Sequence, residues 1–167
     1  MKYRKGVFIV TFTNVGAHKS KISGATKSEK KKDFVGKRIE YLILKRKLHW
    51  IGWEFPKGGK KSSESYKKSV KREISEETGQ KPSKIINLNV NGKYKYPKKI
   101  EDRPGIIGQT YKLYAVEIKK MGIKIDKIEH TDYKWVNFKD ALRKLTWKDQ
   151  RKCLKIVNSY LINGEKK

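Results

Sequence analysis

The chain of 167 residues has the size of one domain, and its 43 Lys and Arg against 17 Asp and Glu give a formal net charge of +26. It has no apolar run of about 18 residues that would predict a transmembrane helix, and no signal-peptide cleavage site follows the short apolar run near the N-terminus. The single cysteine, Cys153, excludes an internal disulfide framework and a cysteine zinc site, which favours a cytoplasmic protein. The charge predicts polyanionic partners such as nucleotides or nucleic acid, although a lysine-rich genome would produce the same composition.

The first part of the chain predicts two strands separated by a long loop. Residues 6–13 and 38–46 are rich in β-branched and aromatic side chains, as buried strands are. Residues 14–37 are rich in Gly, Ser and Lys, and we expect them to form a loop insertion into the domain. Residues 48–55 predict an aromatic-rich turn or short strand, which residues 56–59 break.

A helix is predicted over residues 63–78. Ser62 or Ser63 is the expected N-cap, and Gly79 fits the left-handed position at which many helices end. Residues 85–96 then predict either a strand or a hairpin that turns at the Asn-Gly pair in its middle.

The remaining chain predicts strands followed by helices. Strands are expected at residues 107–118 and 134–137, and helices at 138–145 and 148–162. This order predicts an α+β fold, or an α/β/α sandwich around a mixed sheet, in a single domain of residues 1–167.

Three glutamates converge on one face of the predicted central helix. Glu73, Glu76 and Glu77 occupy positions i, i+3 and i+4, so their carboxylates lie within about one helical turn of each other. Like charges at this spacing destabilise a helix unless a cation compensates them. Mg²⁺ and Mn²⁺ prefer oxygen ligands of this kind and bridge to phosphate oxygens. The pattern predicts a divalent-metal site, whereas a solvated amphipathic helix is the plainer interpretation.

The longer segment 58–79 resembles the Nudix box, Gly-x5-Glu-x7-Arg-Glu-U-x-Glu-Glu-x-Gly-U, in which U is a bulky apolar residue. Gln80 departs from the pattern at the last apolar position, which bears on the packing of the turn after the helix. A match of this length favours the metal site over the plainer interpretation. The residues that match at the family spacing are Gly58, Glu64, Arg72, Glu73, Ile74, Glu76, Glu77 and Gly79.

The resemblance implies a Nudix-type α/β/α sandwich around a mixed sheet. It also implies an enzyme that uses Mg²⁺ or Mn²⁺ to hydrolyse a nucleoside diphosphate linked to another group. The cation would neutralise the phosphates and lower the pKa of a water, and a carboxylate would take the proton of that water. Arg72 and Glu64 would hold the catalytic glutamates in place. The implied metal ligands are the Gly58 carbonyl, Glu73, Glu76 and Glu77.

A second segment bears on the general base. Residues 129–135 resemble the Glu-His-x-x-Tyr-x-Trp segment of asymmetrical dinucleoside tetraphosphate hydrolases. Glu129 is therefore a candidate base or ligand beside Glu76 and Glu77, and His130 is a candidate phosphate contact. An ordinary surface position is the alternative for both residues.

Three further residues are candidates for substrate binding. Lys57 precedes the box in a Pro-Lys-Gly sequence and is expected to pair with a phosphate. Tyr94 and Tyr96 alternate with lysines, a pattern that can stack a base and hold phosphates. A strand with one wet face would show the same alternation.

These features predict a nucleotide polyphosphate as substrate, preferentially a dinucleoside polyphosphate. The alternative reaction is removal of pyrophosphate or a cap from RNA 5′ ends, since Gly59 after the Pro-Lys-Gly sequence also matches RNA 5′-pyrophosphohydrolases. The alternative of a different class is a catalytically silent Nudix domain that binds RNA through its charge.

Overall fold

A mixed β-sheet of seven strands lies between helices in the computed structural model, which describes residues 2–16 and 38–164. None of the helices in this described part combines the length and the apolar character needed to cross a membrane. In chain order the elements are β1 (Lys2–Val15), β2 (Arg38–Arg46), β3 (Gly52–Glu54), β4 (Lys57–Gly59), α1 (Tyr66–Thr78), β5 (Lys84–Lys95), β6 (Ile106–Glu117), β7 (His130–Val136), α2 (Phe138–Lys144) and α3 (Lys148–Asn163).

Strand β1 lies at the centre of the sheet. The strand order is β3-β2-β1-β6-β5, with β4 paired to β1 and β7 paired to β2. β1 runs parallel to β6 and antiparallel to β2 and β4. The sheet is therefore mixed, and β1 fixes the position of β4, where the box begins.

The side chains of β1 alternate between two hydrophobic cores. Val7 and Ile9 pack with α1 on one face of the sheet, and Phe8, Val10 and Phe12 pack with α2 and α3 on the other. A strand that is buried on both faces needs a nearly continuous apolar sequence, as β1 has. Helices on both faces confirm the predicted α/β/α sandwich.

Helix α1 begins later than the sequence predicted. Ser65 is the N-cap, rather than Ser62 or Ser63, because its Oγ accepts a hydrogen bond from the backbone N–H of Lys68 at 3.2 Å. The end of the helix agrees with the prediction, since Gly79 has φ 68° in the left-handed region.

Of the two alternatives predicted for residues 85–96, the strand is correct and the hairpin at Asn91 and Gly92 is wrong. Both residues pair with β6 in the continuous strand β5, and the irregularity lies earlier, where Asn89 has φ 54°. Gly92 serves packing instead of a turn, because a Cβ at this position would lie 2.3 Å from Cζ of Tyr111.

Two other boundaries differ from the prediction. Asn14 and Val15 continue β1 and pair with β2, so the first residues of the predicted insertion at 14–37 are strand. Residues 17–37 of that insertion lie outside the described residues. Residues 57–59, predicted to break the structure, form β4, because their backbone pairs with β1.

Gly92→Ala should destabilise the protein. The added methyl group would collide with the ring of Tyr111, and overpacking of this kind costs about 1–3 kcal/mol in the free energy of unfolding. Urea denaturation measures this loss. Gly16→Ala is the matched control, since no described atom lies within 4 Å of a Cβ added there. Equal midpoints for Gly92→Ala and the wild type would contradict the close packing.

Candidate active site

The box begins where β4 passes beside α1. A Cβ at Gly58 would lie 1.9 Å from Cδ of Glu73, so the backbone can approach this carboxylate only at a glycine. The Gly58 carbonyl accepts a hydrogen bond from Nε2 of Gln109 at 3.2 Å. The β1–β4 ladder also pairs Gly58 with Val7, so the role of this carbonyl as a metal ligand stays a prediction.

The glutamates of α1 differ in burial. Glu73 and Glu77 are buried, at 7% and 4% exposure, whereas the Glu76 side chain is half exposed. Burial raises the pKa of Glu77 well above its usual range, and the charges of Glu54 and Glu73 raise it further. Burial also raises the pKa of Glu73, against the opposing effect of Arg72. The two buried carboxylates therefore lack sufficient positive charge in the protein alone.

Arg72 holds the outer side of the box. Its Nε and Nη2 donate to the two carboxylate oxygens of Glu64 at 2.6 and 3.0 Å. Its Nη1 donates to Glu73 at 2.6 Å and to Glu76 at 3.0 Å, and Nη2 also donates to the Gly59 carbonyl at 2.8 Å. The hydrogen bonds from Arg72 lower the pKa of Glu64 to about 2. Arg72 thus ties α1 to β4 and contacts three glutamates of the box.

Glu54, at the end of β3, is a fully buried carboxylate to which no sequence pattern drew attention. Arg46 donates to its Oε1 at 2.9 Å, the Nε2 of His130 lies 3.2 Å from the same oxygen, and Lys57 Nζ lies 3.0 Å from Oε2. Burial opposes ionisation, but Lys57, His130 and Arg46 hold the pKa of Glu54 at about 2. The sequence feature that could have identified Glu54 is its position between two aromatic residues, Trp53 and Phe55.

Glu129 and His130 lie beside the box but differ in exposure. The Glu129 side chain is one third exposed, and its Oε2 accepts a hydrogen bond from Arg46 at 2.8 Å. His130 is only 1% exposed and its Nε2 lies against Glu54. This burial contradicts both a surface position and a phosphate contact for His130. Ligand atoms of Glu77, Glu129 and His130 lie within 4.8 Å of one another.

The donor set fits a hard divalent cation. The box offers several carboxylates and one carbonyl oxygen, which are the ligands that Mg²⁺ and Mn²⁺ prefer. The raised pKa of Glu77 points the same way, because it marks a buried carboxylate that needs a nearby positive charge to ionise. Glu73, Glu76 and Glu77 could hold such a cation, and Glu129 lines the same groove.

Two cavities meet at the site. A groove of about 390 Å³ is lined by part of the box, and an aromatic cavity of about 350 Å³ adjoins it. The side chains that line both are Arg46, Lys57 and Arg103. The groove is also lined by Arg4, Lys5, Gly58, Glu73, Glu76 and Glu129.

Both predicted tyrosines line the aromatic cavity. The rings of Tyr94 and Tyr96 are 5.8 Å apart, and Arg103 donates to the Tyr96 hydroxyl at 3.3 Å. Trp50 and Trp147 form an edge-to-face pair at 5.1 Å on the same cavity. No spacing in the sequence pointed to these tryptophans, because they come from separate loops that the fold brings together.

Comparison with known proteins agrees with this architecture. The NUDIX domain family matches residues 33–155. An RNA pyrophosphohydrolase from Nitratiruptor sp. is 34% identical over 116 residues, which cover 66% of this chain and 75% of that protein. An RNA pyrophosphohydrolase from Shewanella pealeana is 29% identical over 112 residues, which cover 60% of this chain and 65% of that protein.

Solved structures show the same fold at low sequence identity. A C. elegans Ap4A hydrolase superposes with a TM-score of 0.66 at 16% identity, covering 96% of this chain and 98% of that one. The dihydroneopterin triphosphate pyrophosphohydrolase of E. coli superposes with a TM-score of 0.63 at 15% identity, covering 95% of this chain and 99% of that one.

The sandwich fold with its carboxylate groove defines a hydrolase that acts on pyrophosphate bonds. The chain belongs to the Nudix family.

Glu54→Gln should destabilise the protein by about 3 kcal/mol at pH 7, because it removes the carboxylate that pairs with the buried Lys57 and leaves Arg46 with Glu129 alone. The pKa of Glu54 lies below its usual value, so its ionised form stabilises the fold at neutral pH. That contribution is lost as the pH falls from about 4.5 towards 2. Urea denaturation across this range should therefore show a smaller loss of stability for Glu54→Gln than for the wild type.

Glu101→Gln serves as the control for this comparison, since Glu101 is exposed in a turn. Parallel stability curves for Glu54→Gln and the wild type between pH 5 and pH 2 would contradict the buried network.

Proposed function

We propose that this protein removes pyrophosphate from the 5′-triphosphate end of RNA with Mg²⁺ or Mn²⁺ as cofactor. The observation that carries the proposal is that the aromatic cavity and the groove adjoin and share three lining residues. A base in the aromatic cavity would place its 5′ phosphates beside the box, and Arg46, Lys57 and Arg103 line the path between them. These cations can neutralise phosphate oxygens along that path.

The chemistry follows from the residues of the groove. A bound cation would neutralise phosphate charge and make water a better nucleophile. The oxygen of that water attacks the α-phosphorus, the bond from this phosphorus to the bridging oxygen breaks, and pyrophosphate leaves with the electron pair. Glu129 is the proposed base that takes the proton, because it lines the groove, is partly exposed and is held by Arg46. A box glutamate, Glu76 or Glu77, is the alternative base.

Charge around the cavities favours an RNA substrate. Basic side chains line both the groove and the cavity, and they would attract a phosphodiester chain that extends from the bound nucleotide. The relatives from Nitratiruptor sp. and Shewanella pealeana are named RNA pyrophosphohydrolase. The lysines that line the groove and the cavity are Lys60, Lys61, Lys93, Lys95 and Lys98.

We also propose a cytoplasmic location, which the single cysteine favours.

A dinucleoside tetraphosphate is the second candidate substrate, although the sequence alone placed it first. Two observations favour it: the segment at residues 129–135 and the fold shared with the C. elegans Ap4A hydrolase. It ranks second because the relatives of substantial identity are named for RNA. A silent RNA-binding domain ranks third, because the carboxylates of the box are all present.

The substrate order is tested by measuring kcat/KM with Mg²⁺ for a 5′-triphosphate RNA oligonucleotide and for diadenosine tetraphosphate. We expect the higher value with RNA, and 5′-monophosphate RNA and pyrophosphate as products. A higher value with the dinucleotide would favour the second candidate. Absence of turnover on both, together with salt-sensitive RNA binding, would favour the silent domain.

Glu77→Gln should reduce turnover by about 100-fold or more, because loss of a metal-binding carboxylate removes several kcal/mol of transition-state stabilisation. The fold should survive, since the raised pKa of Glu77 means that a neutral side chain suits this position. Single-turnover rates and a thermal melt measure the two effects. Glu117→Gln, at the far end of β6, is the control and should retain activity. Wild-type turnover in Glu77→Gln would refute a catalytic role for the box.

A further inference from the structure

One acidic residue interrupts the basic lining of the aromatic cavity. Asp149 lies in the first turn of α3, and both it and the N-cap residue Trp147 line the cavity. It is the only acid among the described residues that line the cavity. An ionised carboxylate in this position offers two acceptor oxygens and no donor. The basic residues of the same lining are Arg46, His49, Lys57, Lys93, Lys95, Lys98 and Arg103.

The next residue provides a donor of fixed orientation. Gln150 is 2% exposed and also lines the cavity. Its Oε1 accepts a hydrogen bond from the backbone N–H of Phe55 at 2.7 Å. This bond identifies the oxygen of the amide, so the Nε2 group of Gln150 remains as a donor. The end of the cavity at α3 therefore presents paired acceptors from Asp149 and a donor from Gln150.

We propose that this end of the cavity selects guanine as the base of the bound nucleotide, an inference that rests on the proposed function. The Asp149 carboxylate accepts hydrogen bonds from the N1–H and the N2 amino group of guanine, and Gln150 Nε2 donates to O6. The aromatic side chains Trp50, Tyr94 and Trp147 provide stacking surfaces for the rings. The substrate class is then RNA that begins with a 5′-triphosphate guanosine.

Adenine fits the same groups less well. Its edge offers one amino donor beside the acceptor N1, so one oxygen of Asp149 would face a lone pair. Discrimination by a bidentate contact of this kind is about 1–3 kcal/mol, which corresponds to a preference of roughly tenfold or more. Pyrimidines are smaller and leave part of the stacking surface uncovered.

Asp149 has a structural alternative, because a negative charge in the first turn of α3 also stabilises the helix dipole. That role would change stability but would treat guanine and adenine nucleotides equally. The ratio of the two affinities therefore separates base selection from helix stabilisation.

The experiment measures the binding of GDP and ADP in the presence of Mg²⁺ by quenching of tryptophan fluorescence, with Trp50 and Trp147 as probes in the cavity. The wild type should bind GDP about tenfold more tightly than ADP. Asp149→Asn should lose most of this preference, because an amide presents one acceptor and one donor and so fits the edge of adenine. Asp132→Asn, exposed on β7, is the control and should keep the preference.

Turnover separates this inference from the proposed function. We expect RNA that begins with guanosine to have a higher kcat/KM than RNA that begins with adenosine, and Asp149→Asn to equalise the two values. Active enzyme with equal affinity for GDP and ADP would overturn guanine selection and leave the proposed function intact. Equal losses of both affinities in Asp149→Asn, with a lower melting temperature, would assign Asp149 to helix stabilisation. Failure to cleave any RNA, with the GDP preference present, would count against the proposed function alone.

Discussion

The rest of the site depends on the ion-pair network around the buried carboxylate of Glu54. This carboxylate is fully enclosed and joins Arg46, Lys57 and His130, which come from β2, β4 and β7. Arg46 and Lys57 also line both cavities. A buried cation without a partner would destabilise the fold. Glu54 therefore stabilises Arg46 and Lys57 at the positions where we expect the phosphates to bind. The same carboxylate adds negative charge beside Glu77 and so strengthens the need for a metal ion.

Charge compensation in the box is divided between two sides. On the outer side Arg72 binds Glu64, Glu73 and Glu76, and the fork of its guanidinium sets their orientation. On the inner side Glu77 accepts a backbone hydrogen bond from Lys57 at 3.1 Å, but the pKa of Glu77 is still raised. Because Glu77 is compensated less than the glutamates that Arg72 contacts, a divalent cation bound near Glu77 would stabilise the site most. Arg72 thus orients the glutamates of the outer side, whereas Glu77 is the carboxylate with the least compensation.

The sequence predicted those parts of the molecule that have a local cause. Apolar runs and helical periodicity located most elements, and the bounds of α2 and α3 agree within a residue or so. The spacing of the box placed Glu73 and Glu77 on one buried face. Prediction failed where contacts between residues far apart in the sequence determine the backbone conformation or the burial of a residue. Gly92 looked like a turn residue because the ring that requires it, Tyr111, belongs to another strand. His130 looked exposed because its partner Glu54 lies 76 residues away in the sequence.

The parallel pairing of β1 with β6 has a consequence for the order of assembly. Arg4 and Gln109, which are hydrogen bonded across this pair, lie 105 residues apart. Such long-range pairings slow folding, since a large loop must close before they form. β4 is held by β1, and the Gly58 carbonyl is held by Gln109 of β6. During synthesis the box helix would therefore leave the ribosome well before β6 is available to fix Gly58, so the groove would be complete only in the last stage of folding.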